Sequence, residues 1–119
     1  MAIRKGDNIL LAQGKRHKAG LHSILAGFVE AGESLEQALE REVYEEAGIR
    51  VKNIQYHLSQ PWSFPHSLMM GFTAEWAEGE LHIDPHELIT GDWFAFDNLP
   101  MIPPEGTIAR TLIDLSQKR

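Results

Sequence analysis

The sequence predicts a single α/β domain in which a mixed β-sheet carries helices on both faces. Three observations support this. Two segments place apolar residues at helical spacing, one in the middle of the chain and one at its end. Several shorter segments alternate apolar and polar residues, or run apolar throughout, as strands do. The 119 residues, 43% hydrophobic and 24% charged, are enough for one core of ordinary composition.

The elements follow in order. Ala2-Ile3-Arg4 reads as the tail of a strand, so the chain is expected to be a fragment or truncated domain of a longer protein. Residues 8–13 (NILLAQ) and 22–26 read as strands. Lys15-Arg16-His17-Lys18 lie in the loop between them, either as a solvated turn or as a loop that approaches phosphate. A helix is expected over 34–47, because Ser34 and Gln37 form a capping box and Gly48 supplies a left-handed stop. Its stripe of Leu35, Ala38, Leu39, Val43 and Ala47 is core. Residues 49–58 form a strand whose apolar phase slips near Asn53, the mark of a bulge. Residues 67–76 alternate through Leu68, Met70, Phe72, Ala74 and Trp76. A turn over 77–80, a short strand over 81–83 and a strand over 92–96 come next. Pro100, Pro103 and Pro104 lead into a last helix over 107–117, with Ile108, Leu112 and Leu115 on one side.

Composition excludes some functions. No apolar run approaches the roughly 20 residues that cross a membrane, and no signal peptide opens the chain, so no membrane partner is expected. Zero cysteines rule out disulfides and thiolate metal sites and suit a cytoplasmic protein. A net charge of −6 disfavours a broad nucleic-acid footprint.

The acids of the middle helix are placed against its own stability. Glu42 and Glu45 are three residues apart, and Glu42 and Glu46 four, so all share a face and repel by roughly 0.2–0.5 kcal/mol per pair. Glu45 and Glu46 also sit in the last turn, where the helix dipole disfavours anions by about 0.3–1 kcal/mol each. A solvated acidic face eased by an Arg41–Glu45 ion pair is the plain reading. A divalent cation would turn the same arrangement into an advantage, since Mg²⁺ takes hard oxygen ligands alongside substrate phosphates.

The spacing of Gly27, Glu33, Arg41-Glu42, Val43, Glu45-Glu46, Gly48 and Ile49 resembles the Nudix box without a departure. Chance would give it at on the order of 10⁻⁸ per starting position. Downstream, SQPWSFPHS (59–67) resembles the SQPWPFPxS motif of the NADH pyrophosphatase branch, with Ser63 in place of its usual second proline. The likeness extends over LLAQ, LAGFVEAGE, IDPHEL and PPEGTIAR, nearly the whole chain. It implies a Nudix-type α/β/α sandwich with a mixed sheet. It also implies hydrolysis of the pyrophosphate of NADH or NAD⁺, extending to NAD-capped RNA, with Mg²⁺ or Mn²⁺ as cofactor. The four-cysteine zinc ribbon and N-terminal domain of larger members are absent, so residues 1–119 are expected to be the Nudix domain alone, without zinc.

The resemblance also assigns roles. Glu42, Glu45, Glu46 and Glu87 would be catalytic and bind metal, joined by the carbonyl of Ala26. Phe28 would stack on a ring of the dinucleotide, with Gln60, Ser67 and Ala109 lining the pocket and Ala109 coming from a second protomer of a homodimer. Gly27, Glu33, Arg41 and Gly48 would be structural. Read on the residues alone, Glu87 is an acid at a helix start, and Trp62 and Phe64 are either core or a stacking platform. Two other functions fit the pattern: a Nudix hydrolase for ADP-ribose or dinucleoside polyphosphates, and a nucleotide-binding module without chemistry.

Overall fold

The computed structural model describes residues 1–15, 19–25, 32–62, 67–86 and 88–117, with backbone alone at 62, 67 and 68. Among these, five strands and two helices follow as β1 (Ala2–Lys5), β2 (Asn8–Gly14), α1 (Leu35–Ala47), β3 (Arg50–Trp62), β4 (Ser67–Glu78), β5 (Leu88–Ala95) and α2 (Ile108–Gln117). The strands form one sheet in the order β3-β4-β1-β2-β5. β1 runs parallel to β4, and every other neighbouring pair is antiparallel, so the sheet is mixed.

Strand alternation builds a core on each face. Ile3, Leu10 and Ala12 join Val43 and Ala47 of α1 in one cluster. Ala2, Ile9 and Leu11 join Ile108, Leu112 and Ile113 of α2 in the other. The two short central strands therefore send successive side chains to opposite helices, which makes the molecule an α/β/α sandwich. Burying α1 through Val43 and Ala47 also fixes its rotation, and with it the direction of every polar residue it carries.

The ends of α1 match the sequence reading. The Ser34 hydroxyl accepts from the Gln37 N–H at 3.2 Å while the Gln37 amide oxygen accepts from the Ser34 N–H at 2.9 Å. Gly48 closes the helix at φ 72°. The bulge near Asn53 is present, with φ 52° at that residue and a register shift between Lys52 and Gln55.

Other expectations need correction. Over 21–25 the chain makes isolated bridges, Leu21 to Met101 and Ser23 to Ala12, and no strand; its partners differ, so no ladder propagates. Residues 81–83 form no strand either, because their segment donates to the end of α1 instead of to a neighbouring strand. β5 begins at Leu88, four residues earlier than expected. On α2 the buried side is completed by Ile113 and Ser116, while Leu115 is only half-buried. Met70 keeps its place in the β4 alternation yet stands 38% exposed.

Candidate active site

The acids occupy the second half of α1. Arg41 gathers two of them. Its guanidinium forks onto Glu33, with Nε donating to Oε2 at 2.6 Å and Nη2 to Oε1 at 3.0 Å. Nη1 donates to Glu42 at 3.1 Å and to Glu45 at 3.2 Å. Arg41, Glu33 and Glu42 are about a fifth to a quarter exposed, whereas the Glu45 side chain is 55% exposed. One cation thus offsets the repulsion along the helix face and ties α1 to the segment before its N-cap.

Glu46 turns inward, and its Oε2 is buried. Its charge acts on the Met1 ammonium, which donates to the Leu25 carbonyl at 2.7 Å. Burial lowers that amine from its usual value near 8 to about 5, an effect that Glu46 partly opposes.

The helix end is finished by a remote segment. The His82 N–H donates to the Ala47 carbonyl at 2.8 Å and the Asp84 N–H to the Glu46 carbonyl at 2.9 Å. With the Gly48 N–H on the Tyr44 carbonyl at 2.9 Å, three terminal carbonyls of α1 are satisfied. No basic side chain stands in this last turn, so the N–H groups of Gly48, His82 and Asp84 face the negative end of the helix dipole there. Beside them lies an open cleft of about 440 Å³ lined by Tyr44, Glu45, Gly48, His82, Asp84 and Pro85. The sequence reading missed this capping; the Asp84-Pro85 turn signal was its one local trace.

Gln60 lies elsewhere. Its side-chain oxygen accepts from the Ile108 N–H at 3.2 Å, so it faces the start of α2, the helix that carries Ala109, across the sheet from the acids. Ser67 pairs with Trp62 in the β3–β4 ladder. The assignments at Ala26, Gly27, Phe28 and Glu87 lie outside the described residues, as do those at residues 16–18 and 63–66.

Among the described residues no group of three His, Asp or Glu side chains is arranged to hold a metal ion. The donor set nonetheless has the chemistry of a hard-cation site. Glu42, Glu45 and Glu46 project carboxylate oxygens from a single helical stretch, two of them gathered by Arg41 and one withdrawn from water. No thiolate competes among them. Among the described residues no helix is long and apolar enough to cross a membrane.

Comparison with known proteins agrees with this architecture. The family model described as the NUDIX domain matches residues 1–115. The chain is 59% identical over 114 residues to a protein named NAD-capped RNA hydrolase NudC from Klebsiella pneumoniae (strain 342). It is also 59% identical to proteins of the same name from Yersinia enterocolitica and Escherichia coli. In each case 96% of this chain is covered but 44% of the relative, so the chain spans under half the length of these proteins. Among solved structures, a MutT NUDIX hydrolase from Burkholderia pseudomallei superposes with a TM-score of 0.74 at 26% identity, covering 95% of this chain and 91% of that one. The NUDIX domain of Shewanella oneidensis NrtR, solved with ADP ribose, gives 0.75 at 19% identity over 99% and 83% of the two chains, a likeness of fold alone.

Proposed function

The chain belongs to the Nudix family, and from that premise we propose that it is a divalent-metal-dependent hydrolase that splits the pyrophosphate of NADH or NAD⁺ into nicotinamide mononucleotide and AMP. The observation that carries the chemistry is the trio Glu42, Glu45 and Glu46 on one stretch of a helix capped at both ends, with Arg41 bridging from that stretch to Glu33. The choice of NAD among nucleoside diphosphates is supported by the SQPWSFPHS segment and by the relatives named NAD-capped RNA hydrolase. NAD-capped RNA is a further substrate on the same support.

Nudix hydrolases generally use divalent metals. Here Glu42, Glu45 and Glu46, with Glu87 and the Ala26 carbonyl, would hold Mg²⁺ or Mn²⁺. When bound, the ion supplies positive charge against the diphosphate and makes nearby water more acidic. The protein's own part is positioning. Arg41 keeps Glu42 and Glu45 from swinging apart into solvent. Glu45, the more exposed of the two, can take the proton of the attacking water, a role that the family pattern offers equally to Glu87. Attack at phosphorus breaks its bond to the bridging oxygen, which leaves with the other mononucleotide. Phe28, Gln60, Ser67 and Ala109 would hold the dinucleotide, and the assignment of Ala109 to a shared pocket makes the active form a homodimer. We place the enzyme in the cytoplasm.

The test is one coupled assay with NADH, NAD⁺, ADP-ribose and diadenosine polyphosphate, each with Mg²⁺ or Mn²⁺. NADH or NAD⁺ should turn over fastest and chelation should stop the reaction. Faster ADP-ribose turnover overturns the substrate choice. Nucleotide binding by calorimetry without any metal-dependent product overturns the enzyme.

A further inference from the structure

We propose that Asp84 is a positioning residue that locks the acid-bearing end of α1 to the turn opening β5. It rests on the metal-dependent reading above. Asp84 makes three bonds in three directions. Its N–H holds the Glu46 carbonyl at 2.9 Å. Its own carbonyl accepts the Leu88 N–H at 3.0 Å. Its side-chain Oδ1 accepts the His86 N–H at 3.0 Å. The residues on either side of position 87 in the chain are therefore both bonded to Asp84, and Asp84 is bonded to the peptide of Glu46.

Two contacts keep this link from sliding. Gly48, at φ 72°, brings the helix stop so close to the segment that an added Cβ would stand 3.1 Å from the His82 Cβ. On the other side Ile83 fills the space left by Gly91, where a Cβ would lie 2.6 Å from its Cδ1. The segment 82–84 is thus wedged between the end of α1 and β5, with the Asp84 carboxylate spent on the turn at His86. Glu45 and Glu46 ride on the helix end that it anchors. In a site whose ligands must stay within a fraction of an ångström of their places, such a link sets metal affinity and turnover without touching the substrate.

Asp84→Ala and Asp84→Asn differ at one atom that matters here. Alanine removes the acceptor for the His86 N–H; asparagine keeps an oxygen there. Asp84→Ala should weaken Mn²⁺ binding, measured on the metal alone by paramagnetic resonance, by about tenfold or more, as loss of a group that orients ligands does. It should lower kcat on NADH at saturating metal and speed amide exchange at His86 and Leu88. Asp84→Asn should restore all three. Equal loss in both variants would make the carboxylate a ligand in its own right and overturn the positioning role. So would an alanine variant whose Mn²⁺ affinity and exchange match the parent, even if its melting point fell. If the parent binds Mn²⁺ but cleaves no NADH, the functional reading fails while the affinity and exchange comparison still decides the role of Asp84.

Discussion

Replacing Arg41 by alanine removes the one cation that holds Glu33, Glu42 and Glu45 together among the contacts described above. Its worth can be bracketed. The pair with Glu45, whose side chain is 55% exposed, falls in the class of surface bridges worth about 0–1 kcal/mol. The fork onto Glu33 is different: at side-chain exposures of 22% and 18% it is largely desolvated, and two short charged bonds are lost at once. Charge-assisted bonds contribute about 1.5–3 kcal/mol each, and breaking a fully buried pair costs about 3–5 kcal/mol. Partial exposure places the sum near 2–3 kcal/mol, between the surface and buried classes. With urea slopes of about 1–3 kcal/mol per molar, the unfolding midpoint should fall by roughly 1 M or more. Arg41→Lys keeps the charge but not the planar fork, and should recover less than half of the loss. An alanine variant within about 0.2 M of the parent, on the same urea scale, would mean that the fork adds no net stability. So would a lysine variant indistinguishable from the parent, since lysine carries the charge without the fork.

Glu46→Gln should nearly abolish metal-dependent turnover, by on the order of 10² or more if a ligand matters at least as much as the groups that orient ligands, with an unchanged circular-dichroism spectrum; full activity would remove Glu46 from the metal set. Gly48→Ala should cost about 1–3 kcal/mol in thermal unfolding, because it forces a side chain into a left-handed conformation and against His82. Stability should rise with pH between about 5 and 8. In that window the unfolded Met1 amine binds a proton that the buried, folded amine has released, so raising the pH removes a penalty on folding. Nα-acetylation, which removes the titrating amine, should flatten that part of the curve. A slope that survives acetylation undiminished would assign it to other groups.

What could be read in advance was local. The capping box at Ser34 and Gln37, the stop at Gly48 and the slip at Asn53 are each set by a few neighbouring residues, and each stands in the structure as expected. The misreadings concern segments whose hydrogen bonds go far along the chain. Residues 81–83 read as a short strand, yet the N–H groups of His82 and of the neighbouring Asp84 serve carbonyls some 35 to 38 residues away on α1. The start of β5 is illegible because exposed Ile89 and side-chain-free Gly91 break its apolar rhythm, and only the packing of Ile83 explains the gap at Gly91. In the site, the clustering of acids was visible from spacing alone. That Arg41 would fork onto Glu33 and leave Glu46 to face inward depends on how Val43 and Ala47 seat the helix, which spacing does not reveal.

The four-residue strand β1 lies at the centre of the sheet, and one of its two neighbours is distant in sequence. Ala2 pairs with Thr73, a separation of 71 residues (73 − 2), while its hairpin partner β2 begins at Asn8. The middle of the sheet therefore cannot finish until α1 and β3 have been spanned, which puts a long loop closure ahead of the contacts that reward it. Both hydrophobic clusters draw on β1, through Ala2 on one side and Ile3 on the other, so neither helix docks fully before that closure. Refolding should then be slow and concerted, with α1 and α2 acquiring protection from exchange together and not one after the other.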